Sequence, residues 1–136
     1  MEVRCAPDGS EALEGSGPIR RFLKDLSKEK PPELFALVMA TISLIDRSEN
    51  MEALKASGYS ERLPRTREPI HVLKIPPKHR SAGVARIYYG YVEGKPQTIM
   101  LLTGEKKHQR HKDDLDKINA AEEFYRQLCK AKKGTR

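Results

Sequence analysis

The chain has 136 residues, 38% of them apolar, with three Phe, five Tyr and no Trp. That composition predicts one modest domain over residues 1–136 with a small core, and excludes a wholly disordered chain. Lys and Arg number 26 against 19 Asp and Glu, a net charge of +7 that suits a polyanion such as RNA or DNA, or an acidic protein. Cys5 and Cys129 stand far apart without CxxC or Cys/His spacing, so neither a zinc site nor a disulfide framework is expected. The N-terminus lacks the apolar stretch of a signal peptide, and no run approaches the ~20 apolar residues of a membrane span. The expected address is therefore the cytoplasm, with no membrane contact.

Glu2–Ala6 alternates Val3 and Cys5 with charged residues, which predicts a short first strand at a sheet edge. The Gly-, Ser- and acid-rich stretch that follows reads as a loop, and Pro18 is suited to opening a helix. Ile19, Phe22, Leu23 and Leu26 then form one apolar stripe. After the break at SKEKPP, Glu33 through Asp46 predicts a second helix whose apolar residues exceed one stripe, so it should be buried on two sides. The lesser reading is that part of this surplus receives a partner protein. Beyond it the pattern weakens: Met51 and Leu54 fit one more turn, while KASGYSERLPRTRE is loop-like, with Gly58 and Pro64 as breakers.

Three strands follow, at Ile70–Ile75, Val84–Val92 and Thr98–Glu105, where β-branched and aromatic residues cluster between Pro and Gly breaks. A last helix is marked by Ile118, Ala121, Tyr125 and Leu128, and it ends in a basic tail over about 130–136. Asp113, Asp114 and Asp116 at its start suit helix capping better than a metal cluster, so no metal is expected. The order β-α-α-β-β-β-α predicts an α+β fold, a small antiparallel sheet with two N-terminal helices packed on one face.

Side chains alternate along a strand, so Ile87, Tyr89 and Tyr91 share one face and Arg86 and Tyr88 the other. Lys74 joins Arg86 on the face away from the helices if the hairpin register allows. A lone Lys on a sheet face is most often a solvated side chain, and only with Arg86 beside it does a site become an even alternative. The run Lys106–Lys112 reads first as a solubilising or polyanion-binding patch. Tyr88 is either a nucleobase-stacking ring or a core tyrosine; for Tyr89 and Tyr91 the core is preferred.

Together, VLKIPP, ARIYYGYVEG and TIMLLTGEKK, preceded by a strand and a helical hairpin and followed by a helix, resemble the RelE/ParE toxin superfamily of bacterial toxin–antitoxin modules, in particular its HigB-like, phage-associated branch. The resemblance covers nearly the whole chain and rests on spacing more than on any single motif. It implies a RelE-like fold and metal-independent, cofactor-free cleavage of messenger RNA on the ribosome. It also implies a cognate antitoxin, a helix-turn-helix protein of the HigA type. Lys74, Arg86 and Lys106 or Lys107 match the family's phosphate-holding cations. His108, ahead of His111, is the nearest candidate for proton transfer. Arg80, Arg110, His111 and Tyr88 are the expected RNA contacts. Two other classes stay open: a ParE-like inhibitor of DNA gyrase, and a noncatalytic phage-derived module that binds nucleic acid or protein.

Overall fold

The architecture comes from a computed structural model that describes residues 1–6, 17–29, 32–76, 84–107 and 115–134, with 107, 115 and 130–134 given as backbone only. Its elements are β1 (Glu2–Cys5), α1 (Pro18–Ser27), α2 (Glu33–Arg47), α3 (Glu52–Ala56), β2 (Ser60–Arg62), β3 (His71–Ile75), β4 (Val84–Val92), β5 (Lys95–Lys107) and α4 (Leu115–Gly134). Strands β2 to β5 form an antiparallel meander, and β1 adds to its far edge, so the spatial order is β1-β5-β4-β3-β2. The chain is α+β, as expected, but its sheet is mixed: β1 runs parallel to β5, with Val3 opposite Ile99 and Cys5 opposite Leu101. Parallel neighbours cannot be joined by a tight turn, and here everything from α1 to β4 lies between them in sequence. The sheet also has five strands where the sequence suggested four. The extra one, β2, is three residues long between Gly58 and Pro64, too short to carry an alternating pattern.

Each face of the sheet has its own core. Helices α1 and α2 cover one face, where Ile19, Leu23 and Leu26 of α1 and Leu34, Val38, Ile42 and Ile45 of α2 meet Leu73, Ile75, Ile87, Tyr89, Ile99 and Leu101. Pro18 stands in the first turn of α1, where its missing N–H costs no helical bond. On the other face Val72, Tyr88, Met100 and Leu102 pack with Leu63, Ile70 and Ala121, and Ile118, Tyr125 and Leu128 of α4 lie over part of that layer. A bulge in β5 interrupts its alternation between the two layers. Tyr88 pairs with Thr103 but Tyr89 with Leu101, so Leu102 is the extra residue and both neighbours of the kink keep their faces.

Two glycines allow helices to sit directly on the sheet. A Cβ at Gly104 would stand 2.6 Å from the Phe22 ring of α1, and one at Gly90 would stand 2.5 Å from the Tyr125 ring of α4. The Tyr125 hydroxyl donates to the Tyr91 carbonyl at 3.1 Å. Arg126 lies 3.3 Å from Glu68, and Glu122 accepts from the backbone N–H of Arg67 at 3.1 Å and of Glu68 at 3.3 Å. These bonds tie α4 to the segment between β2 and β3. The face opposite α1 and α2 is thereby closed at one end of the sheet, while Arg86 stays half-buried toward the other.

Candidate functional site

Strand register decides which cations meet. Lys74 of β3 lies opposite Arg86 of β4, and Arg86 in turn lies opposite Glu105 of β5. The three Cα positions form a row across β3, β4 and β5 near one end of the strands, on the face away from α1 and α2, since Leu73, Ile75, Ala85 and Ile87 on either side point into the helix-covered core. Directly opposed side chains on adjacent strands stand about 4.5–5.5 Å apart at Cβ, so these groups feel one another. Lys74 Nζ is 2.6 Å from Glu61 Oε1 of β2, with Lys74 29% and Glu61 53% exposed at the side chain. Glu105 is only 8% exposed. The result is a line of two cations between two carboxylates. An exposed Lys–Glu pair of this kind contributes about 0–1 kcal/mol, so Lys74 can exchange Glu61 for another anion at little cost.

The other expected residues divide. Lys106 pairs in register with Ala85 and therefore lies on the opposite face from Arg86, where its Nζ contacts both carboxylate oxygens of Glu29 at 2.7 and 2.6 Å. A period of two along β5 places Glu105, and not Lys106, beside Arg86, which separates Lys106 from the Lys74–Arg86 pair. The backbone of Lys107 returns to the Arg86 side, opposite Val84. Tyr88 is fully buried beneath Leu63, Ile70 and α4, so its ring is a core element and not a stacking surface for a nucleobase. Arg80, His108, Arg110 and His111 lie outside the described residues.

Two carboxylates were missed. Glu61 sits in the strand too short to recognise, and Glu105 is the one acid in an apolar run. Its position in TIMLLTGEKK was a signal that only the β4–β5 register could convert into a neighbour of Arg86.

A second polar cluster lies on the helix-covered face, at the β2 edge. His71 of β3 stacks on Tyr89 with ring centroids 5.1 Å apart and meets Tyr91 edge-on at 5.2 Å. The Tyr89 hydroxyl hydrogen-bonds the Ser60 hydroxyl, and burial pushes its pKa up. Burial, reinforced by Lys55 and Arg62, lowers the His71 pKa from the ordinary 6.5 to about 4. The unfolded chain therefore binds a proton near pH 6.5 that the folded chain refuses until about pH 4. Stability linked to His71 is full above pH 6.5 and is lost as the pH falls toward 4, by about 2 kcal/mol between pH 6.5 and 5. His71→Phe, which keeps the ring stack, should flatten that part of a stability-versus-pH curve measured by urea unfolding.

Compared with family models, curated proteins and solved structures, the chain finds no match in any of the three.

Proposed function

We propose that the chain is the toxin of a type II toxin–antitoxin pair, a HigB-like member of the RelE/ParE superfamily that cuts messenger RNA on the ribosome. The observation that supports this reading best is the direct opposition of Lys74 and Arg86 on the sheet face away from α1 and α2. In the proposed reaction the RNA 2′-hydroxyl attacks the adjacent phosphate. The bond to the 5′-oxygen breaks as that oxygen takes a proton, leaving a 2′,3′-cyclic phosphate on the upstream fragment. Arg86 presents a planar fork to the phosphate oxygens and stabilises the charge that builds on them. Lys74 releases Glu61 and closes on the same phosphate, with Lys107 as a third cation. His108 or His111 transfers the proton, a role suited to imidazole near neutral pH. No metal or cofactor enters the scheme. The partner is an antitoxin of the HigA type, with an acidic or amphipathic segment that folds on binding, and both proteins act in the cytoplasm.

The carboxylates beside both cations favour one competing reading, a noncatalytic module in which Lys74 and Arg86 only complete a charge ladder. A ParE-like gyrase inhibitor is the other member of the same superfamily's range. Messenger RNA incubated with translating ribosomes and the purified chain, beside a supercoiling assay of DNA gyrase with the same chain, distinguishes all three. The nuclease reading expects upstream fragments ending in a 2′,3′-cyclic phosphate and no cut where the attacking nucleotide is 2′-deoxy. Intact messenger with stalled supercoiling by gyrase would replace it with the ParE reading, and intact messenger with unaffected gyrase with the noncatalytic one.

A further inference from the structure

The outer flank of α2 carries a pattern that the proposed nuclease site does not use and that the core uses only at Leu37, which is half-buried against it. Leu34, Val38, Thr41, Ile42 and Ile45 face inward and are buried. On the outward side, Glu33, Leu37, Ala40, Leu44 and Arg47 recur at intervals of four, three, four and three, the spacing of a helix-pairing seam. Leu44 is 44% exposed and is the one large apolar side chain left open among the described residues. Ala36 and Ala40 are exposed and Leu37 is half-buried. The seam ends in opposite charges, and neither Glu33 nor Arg47 has an ion-pair partner among the described residues. The Arg47 Nε reaches only the Ser43 carbonyl of its own helix, at 3.3 Å.

We infer that this face is a self-association surface on which α2 packs antiparallel against α2 of a second copy, with a two-fold axis passing at Ala40. The charge order makes the seam complementary to itself in that orientation alone. Glu33 then meets the partner's Arg47, Leu37 meets the partner's Leu44, and Ala40 faces the partner's Ala40. A parallel pair would instead set Glu33 against the partner's Glu33. A two-fold contact needs one patch that fits its own rotated image, and this seam has that property end to end. Alanine at the axis lets the helices approach to about 8 Å, the close end of the usual range. A 15-residue helix is about 22 Å long, so one such pair buries less than the roughly 1,200 Å² of a standard interface. The dimer is accordingly weak, forming at roughly tens to hundreds of micromolar. It lies on the far side of the helix layer from Arg86 and does not depend on the nuclease reading.

Sedimentation equilibrium on the full chain from about 10 to 500 µM at low salt tests it. The wild type should pass from monomer to dimer over that range. Leu44→Glu should remain monomeric. Glu33→Arg and Arg47→Glu should each weaken the dimer severalfold, and the double variant E33R/R47E should recover it, because the exchanged charges again face each other. All three substituted positions are exposed, and circular dichroism checks that each variant keeps the fold. In a Cys129→Ser background, Ala40→Cys should form an intermolecular disulfide under mild oxidation. A wild type that stays monomeric at 500 µM would overturn the inference, as would a double variant no tighter than either single one. So would an α2 face on which Leu44→Glu removes only the binding of an antitoxin and leaves self-association unchanged.

Discussion

Arg86→Ala is expected to reduce messenger cleavage by ~10²–10³, a loss of about 3–4 kcal/mol of transition-state stabilisation, with the chain still folded. The size follows from where Arg86 sits. It is half-buried in β4 with Lys74 opposite on one side and Glu105 on the other, so it rises from a rigid strand between fixed charges and should need little reorganisation to meet a developing negative charge. Arg86→Lys keeps the charge but loses the planar fork, and should fall between the two. Lys74→Ala should act in the same direction, while Glu61→Gln, which releases Lys74 from its 2.6 Å partner, should tighten RNA binding severalfold. Lys106→Ala removes only the contact to Glu29 on the opposite face and should leave the rate unchanged. Single-turnover cleavage on programmed ribosomes gives the rates, and thermal melts run in parallel separate a loss of chemistry from any loss of stability caused by leaving Glu105, nearly closed off from solvent, without its neighbour. Full activity of the Arg86→Ala chain would show the phosphate-binding assignment to be wrong.

What the sequence disclosed follows the physics of its patterns. The helices at Pro18 and Glu33, the strands His71–Ile75 and Val84–Val92, and the last helix were legible because periodicity and Pro or Gly punctuation agreed over five residues or more. The facing of Ile87 and Tyr89 into the helix layer follows from strand alternation, and they are fully buried there. Where legibility ended, a second segment was needed. β2 exists because β3 offers it an edge, with Ser60 opposite Leu73 and Arg62 opposite His71, and three residues cannot announce that by themselves. The parallel entry of β1 is likewise a property of the assembled sheet. Lys106 and Lys107 were interchangeable in sequence and are separated only by which face each strand position takes. Tyr88 stood open between a stacking ring and a core tyrosine because its face carries Arg86. The closure of that same face by α4 and the Leu63–Ile70 segment, a long-range packing event, is what buries it.

The largest loss of stability among the substitutions considered should come from Leu23→Ala. Leu23 lies at the centre of the α1 stripe, fully buried with Ile19 and Leu26 in the layer that also holds Ile87, Ile99 and Leu101. Removing its isobutyl group forfeits the transfer free energy of those carbons and leaves a cavity that rigid β-strand neighbours close only in part, so the expected cost is about 2–5 kcal/mol. In a domain whose whole stability is of order 5–15 kcal/mol, that brings a substantial unfolded fraction within reach of mild heat or urea. The melting temperature should fall by roughly 10 °C or more. Relaxation cannot come easily from α1 itself, because Phe22, the neighbour of Leu23, rests on Gly104, and a helix shift toward the void would drive that ring further into the β5 backbone. Leu23→Ala is also the counterpart to Arg86→Ala. Below its melting temperature it should cleave messenger at the wild-type rate per folded molecule, since α1 touches the sheet face opposite to Lys74 and Arg86. A Leu23→Ala chain that melts like the wild type would mean that α1 does not pack against the sheet through this stripe. One that remains fully folded yet loses cleavage would mean that the reaction depends on the helix-covered face, and that the row of Lys74, Arg86 and Glu105 is structural.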